Sequence, residues 1–275
     1  MKRYGTWLIL IAFVVQSTLE SAAIGLKPAG GRSAAMAQAS VALFDPWAII
    51  NNQAGTVSCT TLVFGMYAEN RFLLNELGYQ AGFILIPAKP GVAGLSFTRF
   101  GHNAYNENRA GLSFARSFGQ HFHAGLQLDY SYVFFKEKSY RRSQLSFEAG
   151  IITRITRDLF LAVHVVDPVT WMAGENGGFM TENALIQMGL GYHLSDKIIL
   201  AVQAEKDPVA DIQFMAGFEY ELSPSITFRS GVMAHPVQVC FGTGIHWNRV
   251  YMDLSAAMHQ QLGWYPQVSI HYVSR

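Results

Sequence analysis

Nine histidines and nineteen acidic residues are the first places to look for chemistry in this chain. His121 and His123 are the one close histidine pair, and on a strand two such residues point the same way. A pair falls short of the three or four ligands that a metal site generally uses, so the spacing indicates no metal centre. Nucleophilic catalysis needs a hydroxyl or thiol beside an oriented base. His259 and Asp253 share a strand face, yet no serine accompanies them and no Gly-x-Ser-x-Gly elbow occurs. The two cysteines, Cys59 and Cys240, are too few for a disulfide framework. The residues therefore point to no enzyme and no cofactor.

What chemistry there is depends on the elements that would carry it. From residue 60 onward, segments of about ten residues alternate apolar and polar side chains. Phe122, Ala124, Leu126, Leu128, Tyr130, Tyr132 and Phe134 share one face; His123, Gly125, Gln127, Asp129 and Ser131 share the other. A period of two is the signature of a strand with unlike faces. The polar faces carry Gly, Gln, His and Glu, which suits a lumen better than a solvated surface. His123, Asp129, Glu148, Arg154, Glu219, Asp253 and His259 are then candidate lumen residues, with Glu69, Arg71, Arg109, Glu205 and Glu221 beside them. Both charge signs are present, which favours pairing across a lumen over ion selection. Tyr67, Phe100, Val133, Ile152, Phe160 and Tyr265 are the inward apolar candidates.

Composition agrees. Half of the 275 residues are apolar and only 14% are charged, against about 25% in an ordinary soluble domain. Twenty basic residues against nineteen acidic ones leave a charge of +1, too little for nucleic-acid binding. Past residue 25 no apolar run approaches the roughly 20 residues of a spanning helix. The expectation is an all-β, antiparallel transmembrane barrel of about 14 strands, an even number as closure requires. Tight turns follow the even strands and mostly longer loops the odd ones, the longest being Trp171–Glu182; short turns mark the periplasmic rim. Trp247, Trp264, Tyr130 and Tyr132 suit aromatic girdles.

The chain divides into three parts on this reading. Lys2 and Arg3, the apolar stretch Trp7–Val15 and Ser21-Ala22-Ala23 have the layout of a secretory signal peptide over residues 1–23. Residues 24–59 do not alternate and form an N-terminal segment; residues 60–275 are the barrel. Secretion followed by insertion into the outer membrane of a Gram-negative bacterium is the expected destination, with outer-membrane lipid around the wall.

The N-terminal segment holds Gly30-Gly31-Arg32-Ser33-Ala34-Ala35-Met36-Ala37-Gln38-Ala39-Ser40-Val41-Ala42, then Phe44-Asp45-Pro46-Trp47-Ala48-Ile49-Ile50-Asn51-Asn52-Gln53-Ala54-Gly55. It resembles the N-terminal signature of the PorV/PorQ outer-membrane family, itself similar to FadL-type fatty-acid transporters. Arg32, Ser33, Met36, Asp45, Trp47, Asn52 and Gly55 match the signature, and Asn51 stands beside them. Ala37-Gln38 replaces a Gly-Gly, and Gln53 replaces the proline of an Asn-Pro-Ala-Gly. The last hairpin, Met252–Ala256 with Leu262–Ile270, is also similar. The resemblance implies an N-terminal plug inside a fourteen-stranded barrel; a periplasmic tail leading into the first strand is the alternative. It further implies a barrel serving type IX secretion, binding a secretion component or client. A FadL-type passive channel for hydrophobic small molecules and a purely structural barrel are the competing functions.

Overall fold

The computed structural model describes residues 28–136, 140–172, 178–180, 184–208, 210–260 and 262–274. The expected signal peptide, residues 1–23, lies outside the described residues. Two short helices open the described chain, α1 (Gly31–Ala35) and α2 (Ala48–Asn51), followed by a 3₁₀ segment at Gln53–Ser58. Fifteen strand segments follow: β1 (Val63–Asn70), β2 (Gly78–Ala88), β3 (Gly91–Gly101), β4 (Tyr105–Phe118) and β5 (Phe122–Phe135) come first. Next are β6 (Tyr140–Arg154), β7 (Leu159–Met172), β8 (Gly178–Met180), β9 (Leu185–Ser195) and β10 (Ile198–Lys206). The last are β11 (Gln213–Ser223), β12 (Ile226–Ala234), β13 (Gln238–Trp247), β14 (Val250–His259) and β15 (Gly263–Val273).

Each wall strand pairs antiparallel with its neighbours, and β1 pairs with β15, so the sheet closes. The segments β8 and β9 both pair with β7, Thr170 opposite Met180 and Val166 opposite Leu185. They share one position, and the barrel has fourteen strands. Closure leaves no open edge, the condition for a sheet in lipid.

The alternation seen in the sequence is the alternation of the wall. In β1 the outward Phe64 and Met66 are exposed while Val63 and Tyr67 are buried. Leu95, Phe97, Leu112, Phe114, Leu126 and Leu128 continue the outward apolar belt. Trp247 and Trp264 stand exposed at opposite rims. No helix among the described residues is long and apolar enough to cross a membrane; the strands do the crossing.

The outer connection after β7 differs from the expected Trp171–Glu182 loop. Strand β7 runs on through Met172, and Trp171 pairs with Phe179 of β8. A bulge separates the two parts of β7, because Ser146 pairs with Thr170 but Glu148 with Val166. Three residues, Asp167–Val169, face one on β6; Val166 and Thr170 keep the same inward parity on either side, and within the bulge Asp167 is turned inward against it. Asp167 takes a left-handed φ of 49° there and is buried in the lumen.

Candidate functional site

Residues 29–56 fill the lumen as a plug. Small residues allow this: Ala29, Ala35, Ala37, Ala39, Ala48 and Ala54 are all buried. The wall makes room with inward glycines. A Cβ on Gly125 would lie 2.6 Å from the Gln53 carbonyl carbon, and one on Gly94 2.6 Å from Ile49 Cδ1. On the opposite wall a Cβ on Gly217 would meet Met36 Cβ at 2.7 Å, and one on Gly242 would meet Ala35 Cβ at 2.6 Å. Ala37 and Gln38, which stand where the family signature has Gly-Gly, both take left-handed backbone (φ 52° and 68°). The turn after α1 thus demands the conformation glycine adopts most readily.

Polar groups fasten the plug to the wall from β6 round to β15. Arg32 donates to Glu219 through Nε and Nη2, both at 2.8 Å, and reaches Asp45 at 3.2 Å. Arg229 joins the same network, donating to Glu219 and Asp253 at 2.6 Å each. Ser269 links the Gly31 amide (2.9 Å) to Asp253 (3.1 Å). Across the lumen, Gln203 accepts from the backbone N–H groups of Ser40 and Val41, and Gln53 donates to Glu148 at 2.6 Å. Within the plug, Asn51 bonds both backbone groups of Ala29, and Asn52 donates to the Val41 carbonyl. Ser33 bonds Ser40, and Asp45 accepts from the Ala48 amide, capping α2.

Above the plug, four strands bring Arg109, Asp129, Glu148 and Asp167 together. Asp129, Glu148 and Asp167 have carboxylate oxygens within 4.8 Å of one another, a spacing compatible with a divalent cation. The cation in that place is the Arg109 guanidinium, which pairs with Asp129 and Glu148 at 3.3 Å and with Asp167. His164 completes the cluster, its Nε2 3.1 Å from Glu148 and its Nδ1 3.0 Å from Gln187.

The other side of the lumen is apolar. Trp47, Ile49 and Ile50 of the plug pack on Tyr67, Tyr79, Phe83 and Leu85 of β1 and β2. Trp47 stands edge-on to Phe83 (4.8 Å between centroids) and to Tyr67 (5.9 Å), and Tyr67 in turn to Tyr79 (5.8 Å). Burying a side chain of this size removes about 150–250 Å² from water, about 4–6 kcal/mol. The cluster extends from Tyr79 and Phe100 at the outer rim to Val63, Val273 and Cys59 at the periplasmic one. A second apolar cluster joins Met36 and Leu43 of the plug to Met215, Met233 and Tyr265, with Phe72 of the β1–β2 loop against it.

The candidate lumen residues separate in space. Asp129 and Glu148 belong to the Arg109 cluster, Glu219 and Asp253 to the Arg32 network. His123, near the periplasmic rim, bonds Ser117 and sits edge-on to Phe44 of the plug. Arg154 lies over the Phe160 ring. His259 is at the outer rim beside Phe72, six residues and about 20 Å along β14 from Asp253. The shared face of His259 and Asp253 thus makes no dyad. Nothing in the sequence singles out His164, Asp167, Gln187 or Arg229, and Gln53 stands out there only as a replacement for proline. His164 and Arg229 could have been found from strand parity; Asp167 could not, because the bulge inverts it. Both cysteines are buried and free, and burial pushes the Cys59 thiol up to about 12, with the Asp45 charge adding to it.

No protein-family model and no curated protein matches this chain. Solved structures do. The Ralstonia pickettii toluene transporter TbuX matches with TM-score 0.68 at 9% identity, over 92% of this chain and 100% of that one. A Pseudomonas aeruginosa FadL homologue gives 0.65 at 12% identity, over 90% and 99%. The fold is that of the FadL-type barrels. The P. putida toluene transporter TodX, at TM-score 0.62 and 11% identity over 91% and 99%, has the same architecture. At such identity the likeness concerns the FadL-type fold and leaves the PorV/PorQ family itself unshown. The shared architecture is a closed fourteen-stranded barrel, here with an apolar belt on its outer face.

Proposed function

We propose that this chain is a non-enzymatic outer-membrane channel of a Gram-negative bacterium that passes a small hydrophobic molecule between its plug and the β1–β3 wall. The observation that carries this reading is the apolar cluster running from Tyr79 and Phe100 at the outer rim to Val63 and Cys59 at the periplasmic rim. Polar bonds hold the plug from β6 round to β15, whereas contacts to β1–β3 are apolar. An apolar guest can replace apolar contacts without stranding a hydrogen bond, so this side opens at the lower cost. The FadL-type fold of transporters for toluene supports the same reading. Vesicles with a lipopolysaccharide outer leaflet provide the test, since that leaflet slows unassisted entry. The purified barrel is expected to speed uptake of a fluorescent fatty acid and leave glucose uptake unchanged; faster glucose entry would indicate a general porin.

The type IX secretion reading has in its favour the motif residues from Arg32 to Gly55. Against it, the outer connections 102–104 and 235–237 are three residues each, and gripping a client generally needs longer loops. Co-purification in mild detergent tests it: a stoichiometric secretion component would favour that reading.

A further inference from the structure

We infer that the periplasmic face holds a binding site for a small organic cation, an ammonium group on an apolar body. A cavity of about 520 Å³ opens there between the plug and strands β11–β15, within the range of small-molecule sites. Its apolar lining includes Phe44, Trp47 and Val63. Along one wall three rings from adjacent strands form a column: His246 on Tyr251 at 4.0 Å, and Tyr251 on His271 at 4.7 Å, within 9° of parallel.

Charge decides the class of ligand. Arg32 and Arg229 are satisfied by Asp45, Glu219 and Asp253, which leaves three carboxylates against two guanidinium groups. Glu221, also lining the cavity, has no ion-pair partner among the described residues and raises the excess to two negative charges. An anion would meet repulsion and a cation attraction, strengthened by the low-dielectric walls. The stacked rings supply a flat wall for the ligand's apolar body. Trp47 supplies an independent sign of a ligand. It is 1% exposed, lines the cavity, and its Nε1 has no hydrogen-bond partner. His271 Nδ1, also on the lining, is likewise unpartnered. Both suit a ligand that carries an oxygen acceptor near its ammonium group.

This site goes beyond the channel reading, and its test involves no transport. Isothermal calorimetry on the full barrel in neutral detergent would compare benzylammonium, its 2-methoxy derivative, benzyl alcohol and benzoate. Benzylammonium is expected to bind at least tenfold more tightly than benzoate, and the methoxy derivative more tightly still. Glu221→Gln should remove most of the preference for the cation while leaving benzyl alcohol unchanged. Ser58→Trp, at the exposed mouth, should weaken all four without touching the ionic network. Equal binding of cation and anion, or a preference untouched by Glu221→Gln in a barrel that keeps its strand-dominated circular dichroism, would overturn the assignment.

Discussion

Gln53 Nε2 donates to Glu148 Oε2 at 2.6 Å, joining the plug to the wall across 95 residues of sequence. The family signature has proline at this position, and proline has no side-chain donor to offer. Glu148 is fully buried, and its bonds to Gln53 and His164 and its pair with Arg109 are what make its charge tolerable.

Gln53→Leu is therefore expected to loosen the plug rather than the wall. A hydrogen bond to a charged group contributes about 1.5–3 kcal/mol, so the open population should rise about 10- to 150-fold. Protease cleavage within residues 41–56, at low enzyme concentration, reads that population directly. An unchanged cleavage rate with an unchanged unfolding midpoint would mean that the bond does not hold the plug.

Left-handed backbone at Gln38 costs a non-glycine residue about 1–2 kcal/mol. Gln38→Gly removes that strain and adds entropy to the unfolded chain, so a net gain of about 0.5–1 kcal/mol is expected. A urea refolding titration checks it; destabilisation would argue against the turn after α1.

Gly125→Val places a side chain against the backbone of Gln53 and Ala54. Overpacking of this kind costs about 1–3 kcal/mol, and the lipid-facing control Gly82→Ala, whose Cβ meets only ordinary contact, should cost little. Equal effects would contradict a tightly seated plug.

The two faces of the wall should respond differently to charge. Leu126 is 63% exposed on the lipid face, and Leu126→Arg is expected to cost about 2–4 kcal/mol. Gln127 is buried beside Asp129 and opposite Glu148; Gln127→Arg gains carboxylate partners and should cost less. Phe214→Arg, at the second residue of β11 near the outer rim, should also cost less than Leu126→Arg, because the penalty fades toward the interface. Refolding titrations in detergent-free bilayers give all three values.

How far the sequence reveals this molecule follows from what each feature depends on. The wall is legible because lipid outside and a filled lumen inside impose a period of two on every strand; Leu126 and Gln127 take their sides from it. The inward positions of Tyr67, Ile152 and Tyr265 follow from the same rule. Asp167 is illegible because the β7 bulge is a break in that rule. The plug's fastenings are hidden for another reason. Arg32 and Glu219, or Gln53 and Glu148, meet only after closure of the barrel sets their distance, and nothing periodic links them. Arg154 and His259 fall on the expected face yet at the rims, because parity fixes a side and not a depth.

The claim that a hydrophobic molecule passes between the plug and β1–β3 is tested most directly by tethering the plug there. Ile49→Cys and Gly94→Cys, with Cys59 and Cys240 replaced by alanine, join α2 to β3 where a Cβ on Gly94 would lie 2.6 Å from Ile49 Cδ1. Uptake of a fluorescent fatty acid into lipopolysaccharide-faced vesicles is then measured with the pair reduced and oxidised. The expected result is uptake at near the parent rate when reduced, falling to the rate of protein-free vesicles when oxidised. Undiminished uptake with the disulfide formed would contradict passage along this side of the plug.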